Sequence, residues 1–168
     1  MAGQQSATGT TTTVGEREFT VERWFNAPRE LVFKALTEPE RVSLWWAPKP
    51  FTIPECKIDL RPGGIWHYCM QSPEGEKHWA RSVYREIAAP ERVVYTCTFA
   101  DEQANPTEGI PEHLATITLT EHEGGTKLSA RFELESADDV KLTLNMGMAE
   151  GLGMAFDNLA DLLGQMQR

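Results

Sequence analysis

The chain has 168 residues, enough for one domain with a sizeable hydrophobic core, so neither a disulfide nor a metal is needed to stabilise it. Its 25 acidic and 16 basic residues give a net charge of −9, which disfavours nucleic acids and anionic lipid surfaces as partners. The three cysteines, Cys56, Cys69 and Cys97, lie in apolar segments without C-x-x-C spacing. That pattern is typical of buried thiols in a reducing compartment and predicts a cytoplasmic location.

The first fifteen residues are rich in Thr, Gly, Ser and Gln and lack the basic start and apolar block of a signal peptide. We therefore predict a disordered N-terminal tail over residues 1–15 and a single domain over residues 16–168. No apolar run approaches the roughly 18 residues that a membrane-spanning helix needs, so no membrane span is predicted.

A strand and two short helices are predicted to open the domain. Residues 16–25 alternate between apolar and polar side chains, which indicates a strand. In the segment NAPRELVFKAL that follows, Asn26 is a candidate N-cap and Pro28 fits the first helical position. A second helix over residues 40–46 lies between Pro39 and the later prolines that stop it.

The adjacent Trp45 and Trp46 lie where this second helix must end. A helix directs neighbouring side chains about 100° apart, so both indoles can point inward only where the chain turns under another element. We predict that Trp45 packs among the short helices and that Trp46 faces a cavity.

Six further strands are predicted between the second helix and residue 135. They cover residues 51–60, 64–71, 77–87, 92–99, 113–121 and 126–135. Most separators, RPGG, SPEG, AAPE and EGG, are turn-forming sequences, and connections this short make the sheet antiparallel. The longer connection ADEQANPTEGIP is polar and is predicted to be a surface loop.

The segment after Ser136 is predicted to be helical. Ser136 and Asp139 resemble a capping box, and apolar residues then recur at spacings of three and four from Met148 to Met166. Three glycines within residues 147–153 interrupt the first half of this pattern. Either the helix begins irregularly, or the missing side chains leave room between the helix and the sheet.

This order of elements resembles the helix-grip fold of the START and birch-pollen-allergen superfamily. Within it, the chain is similar to the branch named for the C-terminal domain of the activator of heat-shock-protein-90 ATPase. The resemblance extends over residues 16–165 and is carried by APRELVFKALTEPERVSLWW, DLRPGGIWHYCM, YREIAAPERVVYT and EGLGMAFDNLADLL. It implies an α+β fold in which a curved antiparallel sheet of about seven strands wraps around a long C-terminal helix and leaves a cavity.

Aromatic and apolar side chains alternate along the inner strands, and such a surface suits a planar or lipid-like guest. Trp66, Tyr68 and Met70 share one face of their strand, and so do Tyr95 and Cys97 on another. The candidate ligand-binding residues are Trp46, Trp66, Tyr68, Met70, Tyr84, Glu86, Tyr95, Cys97, Phe99, Met148, Leu152 and Phe156.

Glu86 is the one carboxylate in this set, and it is included because it shares strand parity with Tyr84. A carboxylate that faced an apolar cavity would have a raised pKa and could transfer protons. The alternative is that Glu86 pairs with Arg85, Arg92 or Arg61 at the surface of the sheet.

No catalytic residue, metal site or other cofactor is predicted. The sequence lacks H-x-x-H, H-E-x-x-H and G-x-S-x-G motifs, and Cys69 and Cys97 have no adjacent cation that would activate a thiol. His67 is out of phase with Trp66, which directs it away from the cavity, while His113 and His122 lie at strand ends near loops.

The expected function is binding of a hydrophobic or lipid-like small molecule between the sheet and the C-terminal helix. The family name implies an alternative role in the stress response, as a module that binds a chaperone and stimulates its ATPase. A third alternative is a cyclase, dehydratase or hydrolase that uses the same cavity. Self-association into a homodimer is left open, and the fold alone does not choose among these functions.

Overall fold

A computed structural model describes residues 3–5, 10–108 and 111–167 of the chain. The described residues form one sheet and four helices. In chain order the elements are β1 (Gly3–Gln5), β2 (Thr11–Val14), β3 (Glu18–Phe25), α1 (Arg29–Thr37), α2 (Pro39–Trp45), β4 (Thr52–Ile58), β5 (Ile65–Gln71), β6 (Lys77–Ala88), β7 (Arg92–Ala100), β8 (His113–His122), β9 (Gly125–Glu133), α3 (Ala137–Asn145) and α4 (Met148–Met166).

The nine described strands form one antiparallel sheet in the order β1-β2-β3-β9-β8-β7-β6-β5-β4. Strands β4 to β9 follow one another along the chain and across the sheet, and every connection between them except the one from β7 to β8 is too short to contain a helix. Strand β9 then pairs with β3, from Glu18 opposite Glu133 to Phe25 opposite Thr126. The predicted α+β architecture, with a curved antiparallel sheet and a long C-terminal helix, is confirmed.

The prediction of a disordered tail over residues 1–15 is wrong for two segments. Thr11–Val14 forms β2 and pairs antiparallel with β3, and Gly3–Gln5 forms β1 and pairs with β2. Threonine is β-branched and suits a strand, and the unpaired edge of β3 supplies the hydrogen-bonding partner that a composition count cannot reveal. The sheet therefore has two more strands than predicted, and residues 1, 2 and 6–9 of the predicted tail lie outside the described residues.

Prolines set the boundaries of both short helices. Pro28, and not Asn26, occupies the N-cap of α1, with an extended backbone and no side-chain capping bond, so the predicted Asn26 cap is wrong. Pro39 begins α2, where its missing N–H costs nothing. The helix ends at Trp45, one residue before the predicted end.

The C-terminal segment is divided into two helices. The Ser136 hydroxyl accepts a hydrogen bond from the Asp139 backbone N–H at 3.1 Å, which confirms the predicted cap of α3. Gly147 has a φ of +87°, a left-handed conformation that ends the α3 segment and redirects the chain into α4. The first predicted alternative, an irregular start to the long helix, is therefore correct.

Helix α4 packs its apolar side against the sheet and the short helices. The Phe156 ring meets the Phe25 ring edge-on at 5.9 Å, and Leu159 is fully buried. An ion pair between Arg23 on β3 and Asp157 on α4, at 2.5 Å, links the helix to the sheet beside these rings. Within the described part of the chain, no helix combines the length and apolar character needed to cross a membrane.

Two glycine substitutions with opposite expected effects on the free energy of unfolding test the break between α3 and α4. Gly147→Ala should lower the free energy of unfolding by about 1–2 kcal/mol, because a Cβ atom disfavours the left-handed backbone. Gly164→Ala, inside α4 where an added Cβ meets no atom within 4 Å, should raise it by about 0.5–1 kcal/mol. Urea denaturation of both variants measures the two effects, and a stabilising Gly147→Ala would contradict the break between α3 and α4.

Candidate functional site

A cavity of about 260 Å³ lies between the inner face of the sheet and the region where α3 meets α4. Strands β5 to β9 supply one wall, while the chain after α2 and the beginning of α4 supply the other. Eight of the predicted site residues line it: Trp46, Tyr68, Met70, Tyr95, Cys97, Phe99, Met148 and Leu152.

Small residues on the two walls create this space. Ala80 faces the cavity from β6, and Gly151 faces it from the second turn of α4. A Cβ atom placed on Gly151 would approach only the Cγ atom of Pro48, at 3.8 Å. The second predicted alternative therefore also holds, because the missing side chains leave room between the helix and the sheet.

Four predicted site residues do not line this cavity, and three of them belong to the core. Trp66, Tyr84 and Phe156 border a separate internal space of only about 20 Å³, and each is at least 96% buried. The Trp66 ring stacks on the Tyr68 ring with centroids 4.8 Å apart. These three side chains belong to the packed core beside the cavity.

Glu86 does not face the cavity, so its assignment to the ligand site is wrong. A β-bulge between Tyr84 and Glu86 shifts the register of β6 against β7, and Ile87 packs against the core in its place. The Glu86 carboxylate accepts a hydrogen bond from the Arg92 Nε atom at 3.0 Å on the outer surface. The alternative of a surface ion pair with Arg92 is therefore correct.

The two adjacent tryptophans have different surroundings. Trp45 is 1% exposed, and its indole N–H donates a hydrogen bond to the Ala35 backbone carbonyl at 2.7 Å. Trp46 is partly buried and lies edge-on to Trp45 and Trp66, with another part of its surface on the cavity wall. The predicted packing role of Trp45 and cavity position of Trp46 agree with this arrangement, and ligand contact by Trp46 stays a prediction.

His113 is a cavity residue that the sequence interpretation did not include. It lies across from Cys97 in the register of β7 and β8, and its ring is edge-on to Phe132 at 5.4 Å. Its surface is partly accessible because it faces the cavity, although protein surrounds it on most sides. The sequence pattern that indicates this position is the alternation of His113 with Ala115 and Ile117, which are both buried on the same face of β8.

The electrostatics of the cavity are governed by burial. Burial lowers the pKa of His113 to about 4, and no charged group contributes to that shift. It raises the pKa of Cys97 to about 11 and holds the pKa values of Tyr68 and Tyr95 well above the ordinary range of a phenol. At neutral pH these four side chains are uncharged.

The polar atoms in and beside the cavity are poorly partnered. The His113 ring nitrogens make no hydrogen bond to any described residue. The Trp46 indole N–H is buried near the Tyr68 hydroxyl but does not form a well-shaped hydrogen bond with it. The buried Trp46 N–H would gain free energy if a guest molecule supplied a partner, and the His113 nitrogens, on a partly accessible side chain that lines the cavity, can exchange hydrogen bonds with such a guest.

The described part of the chain contains no group of three His, Cys, Asp or Glu side chains placed to hold a metal ion. His67 lies outside the cavity, as predicted, stacked on Trp79 and within 2.9 Å of the Asp101 backbone oxygen. His78 lines the cavity at its edge with a side chain that is 52% exposed.

The unequal burial of the tryptophan pair predicts unequal effects on stability. Trp45→Ala should lower the free energy of unfolding by about 3–5 kcal/mol, because it removes a fully packed indole. Trp46→Ala should cost less, since fewer atoms surround a side chain on a cavity wall. Leu44→Ala, a 67% exposed neighbour on α2, is the control and should change stability by less than about 0.5 kcal/mol. A larger loss for Trp46→Ala in urea denaturation would invert the two roles.

Burial of His113 predicts a pH-dependent contribution to stability. Its native pKa of about 4 lies below the unfolded value of 6.5, so the unfolded state binds more protons between these limits. The contribution is therefore complete above pH 6.5 and is lost as the pH falls toward 4. Between pH 7 and pH 4.5 the protein should lose about 2 kcal/mol more stability than His113→Phe does.

His122→Phe is the control for this experiment, because His122 lies at the other end of β8 with a 55% exposed side chain. This variant should keep the pH dependence of the unmodified protein in urea denaturation. If the free energy of unfolding changed with pH in the same way for the unmodified protein and for His113→Phe, His113 would not be held neutral in the folded state.

Comparison with known proteins identifies the family. The family model described as Activator of Hsp90 ATPase homolog 1-like protein matches residues 26–164. A crystal structure of a Nitrosomonas europaea protein is 32% identical, with a TM-score of 0.79, and the match covers 90% of this chain and 96% of that one. One from Mycobacterium smegmatis is 28% identical, with a TM-score of 0.81 and the same coverage.

A solution structure of an Arthrobacter aurescens protein, at 24% identity and a TM-score of 0.85, shares the fold and covers 92% of this chain and 91% of that one. A search of curated proteins finds no match. The family model spans most of the domain, including both short helices, the strands of the cavity and most of α4. The chain therefore belongs to the family of Activator of Hsp90 ATPase homolog 1-like proteins.

Proposed function

We propose that this protein binds a hydrophobic small molecule in the cavity between the sheet and α4. The observation that carries the proposal is the cavity itself, whose volume of about 260 Å³ is bounded mainly by aromatic and aliphatic side chains. An engineered apolar cavity of about 150 Å³ in another protein holds benzene. The larger space here is suited to a molecule of about two fused rings or a short branched chain.

Exposed apolar side chains around the cavity support the proposal. Phe99 is 39% exposed and Met146 is 49% exposed, and both also line the cavity. Large apolar side chains that stay in contact with solvent beside a cavity are typical of ligand-binding openings. They would give a hydrophobic molecule a path between solvent and the interior.

Two further assignments accompany this proposal. All three cysteines are free, which supports a reducing compartment and hence the cytoplasm. Stimulation of a chaperone ATPase is an alternative that the family name supports. An increase in the ATPase rate of the heat-shock protein when this chain is added would favour that alternative, and an unchanged rate at several-fold excess would remove it.

Filling the cavity should abolish binding without unfolding the protein. Gly151→Leu places a side chain into the cavity from α4 and replaces a helix-interior glycine, so the fold should be retained. The probes are 2-naphthol, a flavone and a fatty acid, and at least one of them should bind the unmodified protein with a micromolar Kd. Binding of that probe should weaken at least tenfold in Gly151→Leu, as measured by tryptophan fluorescence titration.

Gly164→Leu is the matched control, because it makes the same change in the same helix at a position that does not line the cavity. Its affinity for the bound probe should equal that of the unmodified protein. The proposal fails if no probe binds, or if Gly151→Leu binds the probe as tightly as Gly164→Leu does.

A further inference from the structure

We infer that this cavity selects an uncharged ligand, and that His113 is the residue that hydrogen-bonds the ligand's hydroxyl, carbonyl or amide group. The inference rests on the proposed binding function and specifies the chemical class of its ligand. It follows from the charges that the cavity wall lacks and from His113, a polar side chain of the wall whose ring nitrogens have no hydrogen-bonding partner among the described residues.

The described residues that line the cavity include no Asp, Glu, Lys or Arg. A carboxylate or ammonium group that entered would lose its hydration without meeting an opposite charge, which is strongly unfavourable in a medium of low dielectric constant. Two candidates for a countercharge lie at its margin: the exposed ring of His78, which is 3.7 Å from the Glu76 carboxylate, and Glu112, which acts on the Cys97 thiol but does not line the cavity. Charged molecules are therefore disfavoured in the interior.

Several polar side chains of the cavity wall lie on β7 and β8. His113 and Cys97 face each other across these strands, and Tyr95 is two residues before Cys97 on the same face. The His113 nitrogens lack a hydrogen-bonding partner among the described residues. A neutral imidazole carries one donor and one acceptor, so it matches a hydroxyl or an amide, which carry both, and its donor matches a carbonyl.

Burial keeps this imidazole neutral, since it lowers the pKa of His113 to about 4. A protonated His113 would attract anions, whereas the neutral ring offers them no charge. The geometry of the wall and the protonation state of its polar residue thus favour the same class of molecule.

Three naphthalene derivatives of nearly equal size separate charge from shape. Naphthalene-2-carboxamide is neutral at pH 7, naphthalene-2-carboxylate is an anion, and 2-naphthylmethylammonium is a cation. Titration of the unmodified protein at pH 7, followed by tryptophan fluorescence and calorimetry, should give a Kd for the carboxamide at least tenfold lower than for either ion. Equal or tighter binding of either ion would overturn the inference while leaving the binding proposal intact.

A second comparison tests His113. The unmodified protein should bind 2-naphthol at least fivefold more tightly than naphthalene. His113→Phe should lose this preference while its affinity for naphthalene changes by less than twofold, and His113→Gln, which keeps a donor and an acceptor, should retain most of it. A preference that survives in His113→Phe but is lost in Tyr95→Phe would overturn the assignment to His113.

These outcomes are distinct from failure of the proposed function. If neither naphthalene nor any of its derivatives binds the unmodified protein, both the binding proposal and this inference are wrong. If naphthalene and the ions bind as well as the carboxamide, the cavity binds hydrophobic molecules but does not select an uncharged one.

Discussion

Burial of the apolar side of α4 against the sheet is the interaction on which the rest of the structure depends. Over the middle and end of the helix, side chains such as Phe156 and Leu159 fill the space to the sheet, and the Arg23–Asp157 ion pair fixes the helix beside β3. Over its first turns Gly151 contributes no side chain, so the same packing leaves a cavity. One helix therefore supplies both the stability of the domain and the opening of its candidate site.

Charged side chains lie on the outer surface of the domain and not on the wall of the cavity. The acidic excess of the chain lies on the outer surface, where ion pairs such as Arg131 with Glu18 at 2.7 Å are exposed and contribute little to stability. The cavity wall has no such groups among its described residues. The electrostatic interaction of two charges weakens with distance and with intervening solvent, and Glu112, which acts on Cys97 from outside the lining, carries a negative charge that gives an anion in the cavity no compensation. The electrostatic preference of the site therefore follows from its own lining.

The features that could be predicted from the sequence depend on local periodicity. The positions of Tyr68 and Tyr95 follow from strand alternation, which the backbone enforces wherever a strand is regular. Strand alternation misplaces Glu86, because a bulge depends on the pairing of two strands and leaves no clear local signal. The sequence predicts only a strand-end position for His113, although it alternates with the buried Ala115, because its environment depends on where α3 and α4 pack. Strand β2 depends in the same way on the distant edge of β3.

The apolar wall of the cavity lacks packing partners, and this bears on function. The cavity opens to solvent beside Phe99 and Met146, so its apolar side chains forgo the dispersion contacts that a filled core supplies. A molecule that fills the cavity restores part of these contacts and binds only the folded state, so it stabilises the fold in proportion to RT ln(1 + [L]/Kd). The two neighbouring indoles have different roles. Trp45 stabilises the fold whether or not the cavity is occupied, and Trp46 lies where a bound molecule would complete the packing.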